Sequence, residues 1–438
     1  MSTLVIGNSF NDYLVGDLAP FDPLERKIGG NISLRLMWLA EPGDVVVLPQ
    51  PPASAFLSYL AAFKGIPDDS VTVLVPPPGA FGTDVLTRDR LTEPGFRELL
   101  AKTAREHDID RVLPYVFDQT VVGICAELGI DTSAPDTAFL KAGGSDLLNS
   151  KSVFRALAAG AGVATAEGLA THAREAAEAF VREQFELGRP VIVKEDFHQG
   201  GHGNEILAPA PGVAQIGATA LTVLDGPEAI SRHLDERWTV YSNASRNKVV
   251  LEHYLPDSVP IGAEVEIGER GVTVRHVGEM RMTPVFDGVV LPGERTTEGQ
   301  RAEFREATTR LCASVRALGY RGLINVDGVV DSAGRVWFTE YNGRLGGTTH
   351  LHWLGLRAVG ADYARRAVFV SNNDWQVSSF PEAFARLRRS GLEFDPGTSR
   401  GVVITCDHTA QSNAVEYCVV GPDLAAVTEI EAALKRLF

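Results

Sequence analysis

The stretch Gly322-Leu323-Ile324-Asn325-Val326-Asp327-Gly328-Val329-Val330-Asp331-Ser332-Ala333-Gly334-Arg335-Val336-Trp337-Phe338-Thr339-Glu340-Tyr341-Asn342-Gly343-Arg344 decides how this chain is read. Two apolar runs flank the polar turn Asp331-Ser332-Ala333-Gly334, a pattern that predicts a β-hairpin. The hairpin brings Asp327 on its first strand near Glu340 and Asn342 on its second. Glu340 and Asn342 are two apart and so point to one face. Two carboxylates and an amide oxygen on one face are hard donors suited to Mg²⁺, which completes its shell with substrate phosphates. The set therefore suggests a nucleotide triphosphate, with Arg344 in reach of the same phosphates. Either carboxylate alone reads as a solvated residue at a strand end. The combination points to the metal.

A second signal lies upstream in Val191-Ile192-Val193-Lys194, followed by Gln199-Gly200-Gly201-His202-Gly203-Asn204. A lysine at the end of a buried strand is costly unless an anion meets it. The glycines let backbone N–H groups approach phosphate oxygens, and they make 199–204 a candidate lid loop. Neither a Walker A loop nor a GxGxxG fingerprint is present. A third signal, Val249-Val250-Leu251-Glu252-His253-Tyr254-Leu255-Pro256, reads as a strand turning into a hinge. Its backbone would read adenine while Glu252 accepts ribose hydroxyls. Lys151, at the start of a predicted helix, and Lys194 are cation candidates, although each alone reads as a surface lysine. His198 and His202 have helical spacing, but the glycines between and after them argue against a helix, and no tetrahedral zinc set accompanies His350 and His352. No GxSxG or caspase-type context marks a covalent hydrolase.

The 438 residues carry 41 Lys and Arg against 56 Asp and Glu, a net charge of −15. That balance disfavours nucleic acid and anionic membrane surfaces as partners. With 45% hydrophobic and 22% charged residues, the composition is that of a globular protein of two or three domains. No apolar run is long enough to span a bilayer, and with Arg26 the first basic residue no secretory leader is expected. Four scattered cysteines without CxxC are expected to be reduced, as in a cytoplasmic protein. Short apolar runs alternating with helical stretches predict a parallel α/β domain over 1–140. An α+β unit follows over 141–260. A second α+β unit with antiparallel character and a terminal extension fills 261–438.

The order and spacing of these pieces resemble the ATP-grasp superfamily of carboxylate–amine ligases. The match lies in Asn149-Ser150-Lys151, Ile192-Val193-Lys194 with its glycine loop, Leu251 to Leu255, and Asp327 followed by Glu340-x-Asn342-x-Arg344. The resemblance implies an ATP-grasp fold, with a leading α/β domain, a central lid and a C-terminal subdomain. It implies that Lys151 and Lys194 hold ATP phosphates, with Gly200, Gly201, His202 and Gly203 covering them. His253 and Leu255 would bind adenine, Glu252 the ribose, and Asp327, Glu340 and Asn342 two Mg²⁺ ions. Glu264 sits where the family often has an acidic residue, with Glu266 the other choice. Arg344 and Arg281 would hold the acyl phosphate or donor carboxylate. The opening Ile6 to Tyr13 and the stretch Tyr341 to His350 are similar to pheganomycin-type peptide ligases, which join a guanidino-bearing amino acid derivative to a peptide. This implies an acid donor, a peptide or amino acid amine acceptor, an acyl-phosphate intermediate and a place in antibiotic biosynthesis. A homodimer is the family-based expectation. The alternatives are an L-amino acid ligase, a carboxylase, a small-molecule kinase and a nucleotide-binding regulator. One departure is Gly343, where the family commonly has proline, from which a change in loop stiffness is expected.

Overall fold

The computed structural model describes residues 2–130, 137–198 and 200–437. Gln199 of the glycine-rich loop and 131–136 of the first expected domain lie outside the described residues. Near the N-terminus, β1 (Ser2–Ile6), β2 (Val45–Val47), β3 (Thr72–Leu74) and β4 (Ile109–Pro114) form a parallel sheet in the order β3-β2-β1-β4. Parallel pairing needs crossovers, and the helices Ser54–Lys64 and Pro94–Glu106 supply two of them. The helix Gln119–Leu128 starts where the Asp118 side chain accepts the Val121 N–H, and it ends at Gly129 in the left-handed region.

The lid sheet contains β5 (Gly168–Thr171), β6 (Val191–Glu195), β7 (Asn204–Ala208), β8 (Ala220–Val223) and β9 (Val249–His253), ordered β5-β9-β6-β7-β8. Alternation decides its two faces. Val191, Val193 and Leu251 pack under the helices Arg174–Glu186 and Gly226–Tyr241. Ile192 joins a separate small cluster with Ile206 and Tyr254.

The third sheet is antiparallel and holds β10 (Val259–Gly268), β11 (Gly271–Met282), β12 (Phe286–Leu291), β13 (Gly322–Val330), β14 (Val336–Asn342), β15 (Val368–Gln376), β16 (Gly401–His408) and β17 (Ala414–Gly421). Its order is β14-β13-β10-β11-β12-β15-β17-β16. The helix Glu298–Ala317 opens with a Thr297/Gln300 capping box. It buries Phe304, Leu311 and Val315 against Val265, Val326 and Phe338. Each such side chain contributes about 1.5–3 kcal/mol by leaving water.

The C-terminal extension is not an appendage. Strands β15 to β17 continue the third sheet and share one core with the far face of the N-terminal domain. Trp38 donates its indole N–H to the Thr405 carbonyl at 2.8 Å. Arg35 forks onto Glu416 through Nε at 2.7 Å and Nη2 at 2.6 Å, and both residues are buried. Truncating one partner leaves a desolvated charge behind, so Glu416→Ala is expected to lower stability by about 3–5 kcal/mol in urea unfolding. No helix among the described residues is long and apolar enough to cross a membrane.

Candidate functional site

The expected hairpin is β13–β14, in register with Asp327 directly opposite Glu340 and Asn325 opposite Asn342. The Asn342 amide nitrogen lies 3.4 Å from Asp327 Oδ2. Burial, and then the Glu340 carboxylate beside it, push the Asp327 carboxyl well above its ordinary range. Burial opposes ionisation of Glu340 too, but Lys151, Lys194 and Arg344 outweigh it and hold that carboxyl low. Two half-buried carboxylates in contact cannot both ionise cheaply without a cation between them. The donor set thus fits a divalent metal. As placed, Asn342 turns its oxygen to Arg344 Nη2 at 3.0 Å, so metal ligation by that oxygen requires the amide to turn over. Small residues keep this end open. A Cβ on Gly262 would stand 3.0 Å from Asp327 Oδ1, and one on Gly346 2.4 Å from the Asn325 amide.

Lys151 opens the helix Lys151–Gly160, capped by Ser150. Asp196 fixes this entrance by accepting from Ser150 Oγ and from the Ser152 N–H. The Lys151 ammonium lies 3.6 Å from Glu340 Oε2 and donates to the His198 carbonyl at 3.1 Å. Burial is the largest influence on it and lowers its pKa. On β6, Lys194 Nζ sits 2.5 Å from Glu252 Oε2 and 3.3 Å from the Thr339 carbonyl. Arg155 takes the other oxygen of Glu252. Glu252 is 3% exposed and both its oxygens are committed to cations, so its expected ribose role gives way to a positioning one: it holds Lys194.

A cavity of about 460 Å³ opens between the lid sheet and the third sheet. Gly200, Gly201 and His202 line it from the lid loop, and Lys194, Glu252, His253 and Leu255 from the lid sheet and hinge. Asp327, Glu340, Asn342 and Arg344 line the opposite side. Arg344 lies over the Tyr115 ring, and its buried Nε has no hydrogen-bond partner among the described residues. Gly217, in the connection between β7 and β8, accepts the Asn204 side-chain amide at the end of this loop and donates its N–H to the Pro284 carbonyl beside the β11–β12 turn, each at 2.8 Å.

Four expected site residues do not line this cavity. Lys151 reaches it through Glu340. Gly203 packs against His198 and Glu195, where a Cβ would collide. Arg281 is corrected outright. It sits on β11, donates to the Ser371 carbonyl at 3.2 Å, pairs with Glu431 at 2.5 Å, and borders a second cavity instead. Glu264 is corrected too. It is fully buried, accepts the Thr349 hydroxyl at 3.0 Å, and burial pushes its carboxyl up to about 8. Glu266 is exposed and pairs with Arg275, so neither acid faces the cavity. Gly343 has a reason beyond loop stiffness. Its N–H donates to the Leu148 carbonyl at 2.8 Å, and a Cβ there would meet Leu148 Cβ at 2.5 Å. Proline would lack the donor and collide. Sequence reasoning missed Arg155 and Asp196. Arg155 stands one helical turn from Lys151 and so shares its face, a spacing that could have revealed it.

The family described as carbamoyl-phosphate synthase L chain, ATP binding domain matches residues 150–372. The Pre ATP-grasp domain matches 33–130, and the PGM1 C-terminal domain matches 382–434. No curated protein matches the chain. Among solved structures, a biotin carboxylase from Campylobacter jejuni complexed with a β,γ-ATP compound superposes with TM-score 0.62 at 16% identity, over 99% of this chain and 90% of that one. The biotin carboxylase domain dimer of a Hydrogenobacter thermophilus 2-oxoglutarate carboxylase, with MgADP and bicarbonate, gives 0.59 at 13%, over 99% and 89%. An N5-carboxyaminoimidazole synthase from Aspergillus clavatus, with ADP and its aminoimidazole ribonucleotide, gives 0.58 at 12%, over 100% and 98%. At these identities the likeness concerns the fold.

Proposed function

The chain belongs to the family of the carbamoyl-phosphate synthase L chain ATP-binding domain and has the ATP-grasp fold, and on that premise we propose that it is an ATP-dependent ligase joining an amino-acid-type carboxylate to the amine of a peptide or amino acid. The observation that carries this reading is the convergence of Asp327, Glu340, Asn342, Lys194 and Arg344 on one cavity. The four cysteines are buried, and burial drives the Cys125 and Cys312 thiols up to about 12, which suits chemistry without a thiolate nucleophile.

Asp327, Glu340 and Asn342 would hold Mg²⁺, two ions on this reading, which when bound neutralises the charge of the transferring phosphoryl group. Lys194 meets the triphosphate, and Lys151 supports the metal-facing Glu340 from behind. The His253 carbonyl and the Leu255 amide read the adenine edge. Glu252 holds Lys194 in place. A donor carboxylate oxygen attacks the γ-phosphorus, the β–γ bridging P–O bond breaks, and ADP departs. The acceptor nitrogen then attacks the acyl carbon of the resulting acyl phosphate. The C–O bond to phosphate breaks, phosphate leaves and the amine loses a proton. Arg344 orients the carboxylate with its guanidinium fork. The loop carrying Gly200 to Gly203 keeps water from the acyl phosphate. The same reading places the protein in the cytoplasm, in natural-product assembly, as a homodimer.

The test is ADP release by purified protein against paired acids and amines, with mass spectrometry of the product. The expected result is release that needs both partners and yields the amide. Release sustained by bicarbonate, or a phosphorylated acid accumulating in the presence of amine, would overturn the reading in favour of a carboxylase or a kinase. Nucleotide binding with no turnover across the panel would point to a regulator.

A further inference from the structure

The cavity does not stop at the phosphate-facing residues. Beyond Arg344 it continues into a chamber walled by Phe10, Ile28 and Ile32 of the N-terminal domain and by Met280, Met282 and Phe286 of β11 and β12. We propose that this chamber seats a bulky apolar substituent, aromatic or branched, of the donor acid. The proposal rests on the ligase reading above and names its substrate class.

Continuity ties the chamber to the reacting end. A Cβ on Gly262 would stand 3.0 Å from Asp327 Oδ1 and 3.5 Å from the Met280 sulfur, so the wall begins beside the carboxylate pair. Gly347, three residues past Arg344, lies against the Phe286 ring, where a Cβ would come within 2.8 Å. A carboxylate held at Arg344 therefore has its substituent directed over Phe286.

The walls carry the second argument. Ile28, Ile32 and Phe286 are only half-buried, although each lines the cavity. Their apolar surface gains from an apolar occupant. Phe10 packs edge-on against Phe21 at 5.1 Å, and Phe21 in turn meets the His198 ring at 5.9 Å, so the outer wall reaches the segment leading into the lid loop.

Charge borders the chamber as well. Apart from Asp327, Glu340 and Glu252, the one carboxylate among the described lining residues is Glu25, whose Oε2 accepts the Asp22 N–H in a helix cap. Arg35 also borders the cavity, but Glu416 neutralises it and its Nη1 donates to the Gly347 carbonyl. Glu25 is exposed and charged, so the fit to an apolar substituent rests on the six apolar walls rather than on an absence of carboxylates.

The test is calorimetric titration of the full chain, loaded with AMP-PNP and Mg²⁺, with phenylalanine, leucine, arginine and aspartate. Phenylalanine and leucine are expected to bind about tenfold or more tightly than the charged pair. Ile28→Asp should reverse the order of phenylalanine and arginine, and Ile28→Ala should weaken phenylalanine and leucine selectively. Arginine or aspartate binding as tightly as phenylalanine would overturn the proposal, as would no binding by any of the four or an equal loss for all four in both variants. Apolar preference without ADP release for any acid–amine pair would sink the ligase reading alone. ADP release favouring cationic acids would sink the chamber assignment alone.

Discussion

Replacing Glu340 and Asn342 together by alanine is expected to cut ATP-dependent turnover by about a thousandfold or more while the fold survives. Each side chain faces the cavity beside Asp327, and electrostatic stabilisers of this kind are worth about a hundredfold to a thousandfold apiece. Two neighbours acting on one charge are not additive, so the single variants should each lose nearly as much as the pair. Folding is expected to tolerate the change because the like-charge contact with Asp327 disappears. Lys151 keeps the His198 carbonyl, and the β13–β14 ladder is backbone-made. Thermal unfolding should stay within a few degrees of the parent, and a folded double variant that still turns over would remove these residues from the reaction.

Lys194→Met should lower turnover by about a hundredfold or more and weaken nucleotide binding less. Methionine keeps the length and the apolar stem but removes the cation facing the phosphates. Glu252 retains Arg155, so no buried carboxylate is orphaned. That distinguishes it from Glu252→Ala, which strands both Arg155 and Lys194 in a buried setting and should destabilise the lid as well. Single-turnover ADP formation alongside equilibrium nucleotide binding separates the two effects. Equal losses in both would make Lys194 a binding residue only.

The hairpin was legible because a period of two and a turn of fixed length leave little freedom in register. The register nearest the turn would set Asp327 opposite Thr339; a shift between Asp327 and Gly328 brings Glu340 there instead, which the sequence pattern does not show. The glycine loop and the hinge were legible as backbone devices between apolar strands, and both border the cavity. Glu264 was misplaced because the β10–β11 pairing shifts register immediately after it and Thr349 claims its carboxylate, neither of which a local pattern shows. Arg281 was misplaced because Glu431, far along the chain, claims its guanidinium, which a local pattern does not show. Glu252 carries the expected charge, but only tertiary packing brings Arg155 and Lys194 to it. Strands such as β12, bounded by Pro284 and Pro292, and β15, with Asn372 and Asn373 within it, lack a clean apolar run and were not foreseen.

The central claim is that Asp327, Glu340 and Asn342 bind the divalent cation that accompanies the nucleotide. Anomalous diffraction from crystals grown with AMP-PNP and Mn²⁺ tests it most directly. The account predicts manganese peaks bracketed by these three side chains, with the phosphates between them and Lys194. Manganese and phosphates found elsewhere in the cavity, with the Asp327 and Glu340 carboxyls still facing each other, would contradict it.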